Sequence, residues 1–187
     1  MPNREDAFNL LKEYNADALV THGLAVEAAM KHFAKKYDGD EDTWAIAGLL
    51  HDLDYEKYPD EHCTKTQEIM KEHGYSEEII RAIMSHGYEI CTDIEPISDM
   101  EKTLYAVDEL TGLITACALV RPSGSVMDLE VKSVKKKFKQ KSFAAGASRE
   151  VIQKGADMLD MELGELMGEV ILSMREIAPT LGLEIKE

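Results

Sequence analysis

Apolar residues recur at intervals of three and four through most of the chain, the period of helices packed on one side. Phe8, Leu11 and Tyr14 mark an opening helix over residues 6–14. Asn15 is expected to cap the next, which runs to about Tyr37 with Leu19, Val26, Ala29 and Phe33 on its inner side. His22 stands three after Leu19 and four before Val26, so it shares that side. His32 falls off the stripe and reads as a surface residue. Asp38-Gly39-Asp40 is a turn, and the acids at 40–42 suit the positive end of a helix dipole. Trp44, Ala47, Gly48 and His51 then share one face. After a loop closed by Pro59, a helix from Asp60 or Glu61 should carry His62, Thr66, Ile69 and His73 inward and stop at Gly74.

Ser76 can cap a further helix, with Ile79, Ile83 and His86 on one side and Gly87 as its stop. Ser98 and Glu101 form a capping box ahead of a long helix to about Val120. On it Leu104, Asp108, Thr111 and Thr115 align, with Val107, Leu110 and Ile114 beside them, so Asp108 stands on or next to a buried stripe. Three more helices follow. One spans 125–139 with Val131, Val134 and Phe138 inward, one is capped by Ser148, and the last carries Leu163, Leu166, Val170, Met174 and Ile177. No stretch has a convincing two-residue period. The reading is an all-α fold, a single helical-bundle domain over 1–187 with a core at about 19–115 and a helical extension at about 123–187.

Composition agrees and narrows the partners. Hydrophobic residues make up 44% of 187, a globular share, and Ala, Leu, Glu, Lys and Met favour helix. With 36 acidic residues against 21 Lys and Arg, the net charge of −15 disfavours nucleic acid polymers and anionic membranes. The three cysteines, Cys63, Cys91 and Cys117, form no CxxC pair and read as reduced thiols of a cytoplasmic protein. No signal-like or membrane-spanning stretch is evident. A homodimer is compatible with this composition.

The stretch Ala45-Ile46-Ala47-Gly48-Leu49-Leu50-His51-Asp52 changes the picture. A short apolar helix runs straight into an imidazole and a carboxylate, and a buried carboxylate needs hydrogen bonds, counter-charge or a metal. His22, His62, His86 and Asp108 supply further imidazole and carboxylate groups on other helices. Such a donor set suits Mn, Fe, Co, Ni or Zn with coordination positions left open.

The order His22, His51-Asp52, Asp108 resembles the HD-domain superfamily of metal-dependent phosphohydrolases, and so do the contexts LVTHGLAVEAAM, AIAGLLHDLDY and LYAVDELTGLI. The segment from Glu61 to Gly87 is similar to members with two added histidines, here His62 and His86. The resemblance implies that His22, His51, Asp52 and Asp108 bind one divalent ion, from a set that includes Mg. In two-metal members Asp52 would bridge to a second ion on His62 and His86. It also implies an enzyme that cleaves a small anionic phosphate ester, such as a nucleotide, with metal-activated water. Two other readings are a di-iron oxygenase on the same ligands and a non-enzymatic metal or ligand sensor.

After the doublet many relatives read Gly-Lys, whereas this chain has Leu53-Asp54-Tyr55. Asp54 is a candidate catalytic residue beside Asp52, as a proton shuttle or as a partner of a ligand, and it can also cap the loop. Lys132, Lys135, Lys136 and Lys139 gather on one flank of their helix and are candidates for substrate phosphate. A solvated face or a docking surface for an acidic partner would show the same pattern.

Overall fold

The computed structural model describes residues 2–185. Among the described residues nine α-helices follow one another: α1 (Arg4–Tyr14), α2 (Asp17–Lys36), α3 (Glu41–Leu50), α4 (Thr64–Glu72), α5 (Glu77–His86), α6 (Asp99–Leu119), α7 (Val131–Phe138), α8 (Arg149–Met158) and α9 (Leu163–Glu176). A 3-10 turn, Pro59–Glu61, precedes α4. Among the described residues the only β feature is one isolated bridge, Tyr88 to Thr92, so the fold is all-α. The chain divides into two compact units, Met1–Tyr105 and Ala106–Glu187. That division lies within α6, earlier in the chain than the boundary between core and extension read from the sequence.

In the first unit α3 is the centre. Every residue from Trp44 to Leu50 is buried, and α3 packs on α1, α2 and α5. Two glycines set how closely α2 and α3 approach. A Cβ on Gly23 would lie 2.9 Å from the Leu49 carbonyl oxygen, and one on Gly48 would lie 2.9 Å from the Val26 carbonyl oxygen. Neither contact is tolerable for a methyl group, so both glycines are required by the packing. Each glycine adjoins or supports a site histidine, which makes this crossing the scaffold of the site. Arg4 clamps Glu27 of α2 through two 2.8 Å hydrogen bonds, a bidentate pair in which the Glu27 end is buried.

In the second unit α9 packs on α7 and α8. A Cβ on Gly155 of α8 would lie 2.4 Å from the Ala106 Cα, again a close crossing of backbones. Ser125 donates to the Leu183 carbonyl at 2.7 Å, and Arg175 donates to the carbonyls of Val126 and Leu129 at 3.1 and 2.8 Å.

Several helix ends differ from the sequence reading. Asn15 does not cap α2. It ends α1 and spends its side-chain amide on the carbonyls of Leu11 and Leu53, leaving Ala16 at the cap. The helix expected from residue 60 begins at Thr64, because Cys63 takes a left-handed φ of 69° and breaks it from the preceding turn. His73 is exposed beyond the end of α4, with Nδ1 bonded to the Ile69 carbonyl, and does not face inward. The helix expected from 125 begins at Val131, since residues 125–129 are held in a loop by the bonds to Leu183 and Arg175. The caps at Ser76, Ser98 with Glu101, and Ser148 form as expected.

Candidate metal centre

Four histidines surround Asp52. Its Oδ2 lies 3.3 Å from His51 Nε2 and 3.7 Å from His22 Nε2. Its Oδ1 lies 3.5 Å from both His62 Nε2 and His86 Nε2. Each carboxylate oxygen therefore faces its own pair of imidazoles. His22 and His51 bring their Nε2 atoms 3.1 Å apart. The candidate ligand atoms of Asp52, His62 and His86 all lie within 4.8 Å of one another, as do those of His22, His51 and Asp52.

The local folding explains the convergence. His22 follows Thr21 on α2 and sits next to Gly23, at the close crossing with α3. His51 ends α3, fully buried, and its Nδ1 bonds the carbonyl of Gly48 at 2.7 Å. His86 ends α5 and its Nδ1 bonds the carbonyl of Ile83. His62 stands between the 3-10 turn and α4, outside any helix, and its Nδ1 bonds Asp54 Oδ1 at 2.7 Å.

Those partners decide the tautomers. A carbonyl oxygen and an ionised carboxylate can only accept, so His51, His86 and His62 each donate from Nδ1. Their Nε2 atoms face Asp52, where each can hold a proton or a metal ion. Acceptors gathered this closely repel unless positive charge lies between them, either as protons or as metal cations. Anchoring Nδ1 to a carbonyl or carboxylate is also how metal-binding histidines are oriented and made more basic. The donor set therefore fits a divalent transition metal. Burial pushes the Asp52 carboxyl up, but its interactions with His51 and His86 more than reverse this and hold it well below the usual carboxylate range.

Asp54 has a different role from Asp52. It is fully buried, and its second oxygen accepts the backbone N–H of Thr66 at 2.8 Å. Thr66 is the third residue of α4, whose own cap residue, Cys63, offers no side-chain bond. Asp54 thus caps α4 from a distant loop while fixing His62. Both of its oxygens are engaged away from Asp52, so its geometry is that of a positioning group and not of a shuttle. Two partners escaped the sequence reading. One is Thr66, whose hydroxyl accepts from the Asp54 N–H at 3.2 Å. The other is Tyr55, half-exposed, whose ring stands edge-on to His62 with centroids 5.1 Å apart. The inward stripe of α4 already pointed to Thr66, whereas nothing in the spacing singled out Tyr55.

The HD domain family matches residues 19–113, just over half of the 187-residue chain. The chain belongs to the HD domain family. Comparison with curated proteins and with solved structures returned no match. An HD domain carries metal-dependent hydrolase chemistry in general terms, and the His/Asp cluster of this one is compatible with divalent metal.

The remaining candidates lie in the second unit of this HD protein. Asp108 is partly buried on α6, and its backbone carbonyl accepts the Thr111 hydroxyl at 2.8 Å. Lys132, Lys135, Lys136 and Lys139 are all exposed on or at the end of α7. Lys132 pairs with Glu130 at 2.6 Å, and the end of the Lys135 side chain lies over Gly164. Among the described residues no helix is long and apolar enough to cross a membrane.

Proposed function

We propose that this HD protein is a two-metal phosphohydrolase that cleaves a small phosphate ester, with nucleotides as the first class to test. The observation that supports it best is the split of Asp52, one oxygen toward His22 and His51 and the other toward His62 and His86. In this reading His22, His51, Asp52 and Asp108 hold one divalent ion, and Asp52, His62 and His86 hold the other. When bound, the ions lower the pKa of water, orient it, and neutralise charge on the phosphoryl group.

The chain's own residues do the rest. With one oxygen facing each pair of histidines, Asp52 would supply negative charge to both ions and offset their repulsion. The carbonyls of Gly48 and Ile83 keep His51 and His86 in the ligating tautomer, and Asp54 does the same for His62. Tyr55 presents an exposed ring beside His62, where a substrate leaving group or base can rest. Lys132, Lys135, Lys136 and Lys139 are assigned to phosphate attraction.

The test is phosphate release from a panel of phosphate esters and nucleotides by metal-stripped protein reloaded in turn with Mn, Fe, Co, Ni, Zn and Mg. Activity with at least one metal, lost in Asp52→Ala while helical content is retained, is the expected result. No phosphate release with any metal, together with oxygen consumption by the iron form, would replace hydrolysis with oxygenase chemistry.

A further inference from the structure

Cys63 and Cys91 lie far apart in sequence, yet their Sγ atoms stand 3.2 Å apart. Their surroundings are asymmetric, for Cys63 is fully buried and Cys91 is exposed. Both are held in place by backbone. Cys63 adopts a left-handed φ of 69° at the start of α4, the kind of sparsely populated conformation that persists only when surrounding structure enforces it. Cys91 sits on a turn in which the N–H groups of Ile90, Cys91 and Thr92 all bond the Gly87 carbonyl, and the Thr92 hydroxyl bonds the Met84 carbonyl at 2.8 Å. The room for two sulfurs comes from Gly87. A Cβ there would lie 2.4 Å from Cys91 Sγ and 2.9 Å from Cys63 Sγ.

A soft-metal site built from these thiols and His62 is the competing use of the cluster. His62 argues against it. Its Nδ1 bonds Asp54 at 2.7 Å and its Nε2 faces Asp52 at 3.5 Å, so neither nitrogen is directed to the sulfurs.

We infer that Cys63 and Cys91 form a peroxide-reactive dithiol that closes to an intramolecular disulfide. The exposed Cys91 sulfur, as thiolate, attacks one oxygen of a hydroperoxide. The O–O bond breaks, Cys91 becomes a sulfenic acid, and the second oxygen leaves as hydroxide or alkoxide and takes up a proton. The Cys63 sulfur then attacks Cys91 Sγ, forms the S–S bond, and expels the sulfenic oxygen as water after proton transfer. Two thiols are oxidised by two electrons, and the peroxide is reduced to water, or to water and an alcohol. The sulfurs need only close from 3.2 Å to the disulfide length of about 2.05 Å. The bond would tie the residue after His62 to the turn after His86, but the inference does not depend on the proposed hydrolase activity.

The experiment treats reduced, full-length protein with excess hydrogen peroxide, then denatures it and labels free thiols with a maleimide. Wild type should take one label instead of the three of the reduced chain, lose the mass of two hydrogens, and yield a linked peptide pair containing residues 63 and 91. Dithiothreitol should restore all three labels. In Cys63→Ser, Cys91 should stop at the sulfenic acid, trapped by dimedone. In Cys91→Ser, the buried Cys63 should stay reduced. Three labels on wild type after treatment would overturn the inference. So would oxidation of Cys91 beyond sulfenic acid with Cys63 still free, or a linkage through Cys117 or between chains.

Discussion

Replacing Asp54 by Asn separates the two tasks given to that side chain. The carboxylate accepts from His62 Nδ1 at 2.7 Å and from the Thr66 N–H at 2.8 Å, with no solvent to replace either bond. An amide has one accepting oxygen and one donating NH2. The Thr66 N–H can only donate, so the oxygen must turn to it, and the NH2 then faces His62 Nδ1. To accept that bond His62 must shift its proton to Nε2, which removes the lone pair directed toward Asp52. Folding loses little, because both polar partners remain satisfied, and a cost of about 1 kcal/mol is expected. Metal affinity on the His62 side should fall about 10- to 100-fold, the range for loss of a group that orients a metal-binding histidine. Calorimetric metal titration alongside thermal unfolding measures the two effects separately. Wild-type affinity for every ion in Asp54→Asn would refute the tautomer argument. A large loss of stability with unchanged affinity would show that Asp54 serves only to cap α4.

Three further outcomes are expected. Gly48→Ala should destabilise the protein by about 1–3 kcal/mol in denaturant unfolding, as overpacking does, since its Cβ would meet Val26 and Glu27 backbone at 2.9 and 3.0 Å; a neutral change would mean that α2 and α3 part easily. Lys132→Ala or Lys136→Ala should raise KM by up to about fivefold with kcat held, an effect that shrinks in high salt. Unchanged steady-state kinetics in both would leave these lysines as a solvated face. Metal affinity should weaken as the solution is made acidic, because protons compete with the metal for ligand nitrogens; calorimetric metal titration showing flat affinity from neutral to acidic buffer would speak against histidine ligation.

Most helices were legible from period and capping. Ser76, Ser98 with Glu101, and Ser148 announce their helices locally, and the apolar run Ala45–Leu50 announces α3 and its burial. The errors share one cause, which is that tertiary bonds set the ends. Asn15 turns to the Leu53 carbonyl, Asp54 caps α4 across twelve residues of sequence, and Ser125 is taken by Leu183. None of these has a local signature. The candidate ligands were legible by type and order, and in the first unit four histidines stand around Asp52. The division of labour between Asp52 and Asp54 was not, because it depends on which way each carboxylate points. The thiol pair was hidden too, since the spacing of Cys63 and Cys91 says nothing until the turn at Gly87 brings them together.

The central claim is that Asp52 bridges two cations, and a crystal structure of Mn-loaded protein with anomalous scattering tests it most directly. Two Mn positions should flank Asp52, one bound by Oδ2 with His22 and His51, the other by Oδ1 with His62 and His86. His86→Ala should retain the first and lose the second. A single Mn position in the saturated wild-type protein, or two with Asp52 bound to neither or to only one, would contradict the account.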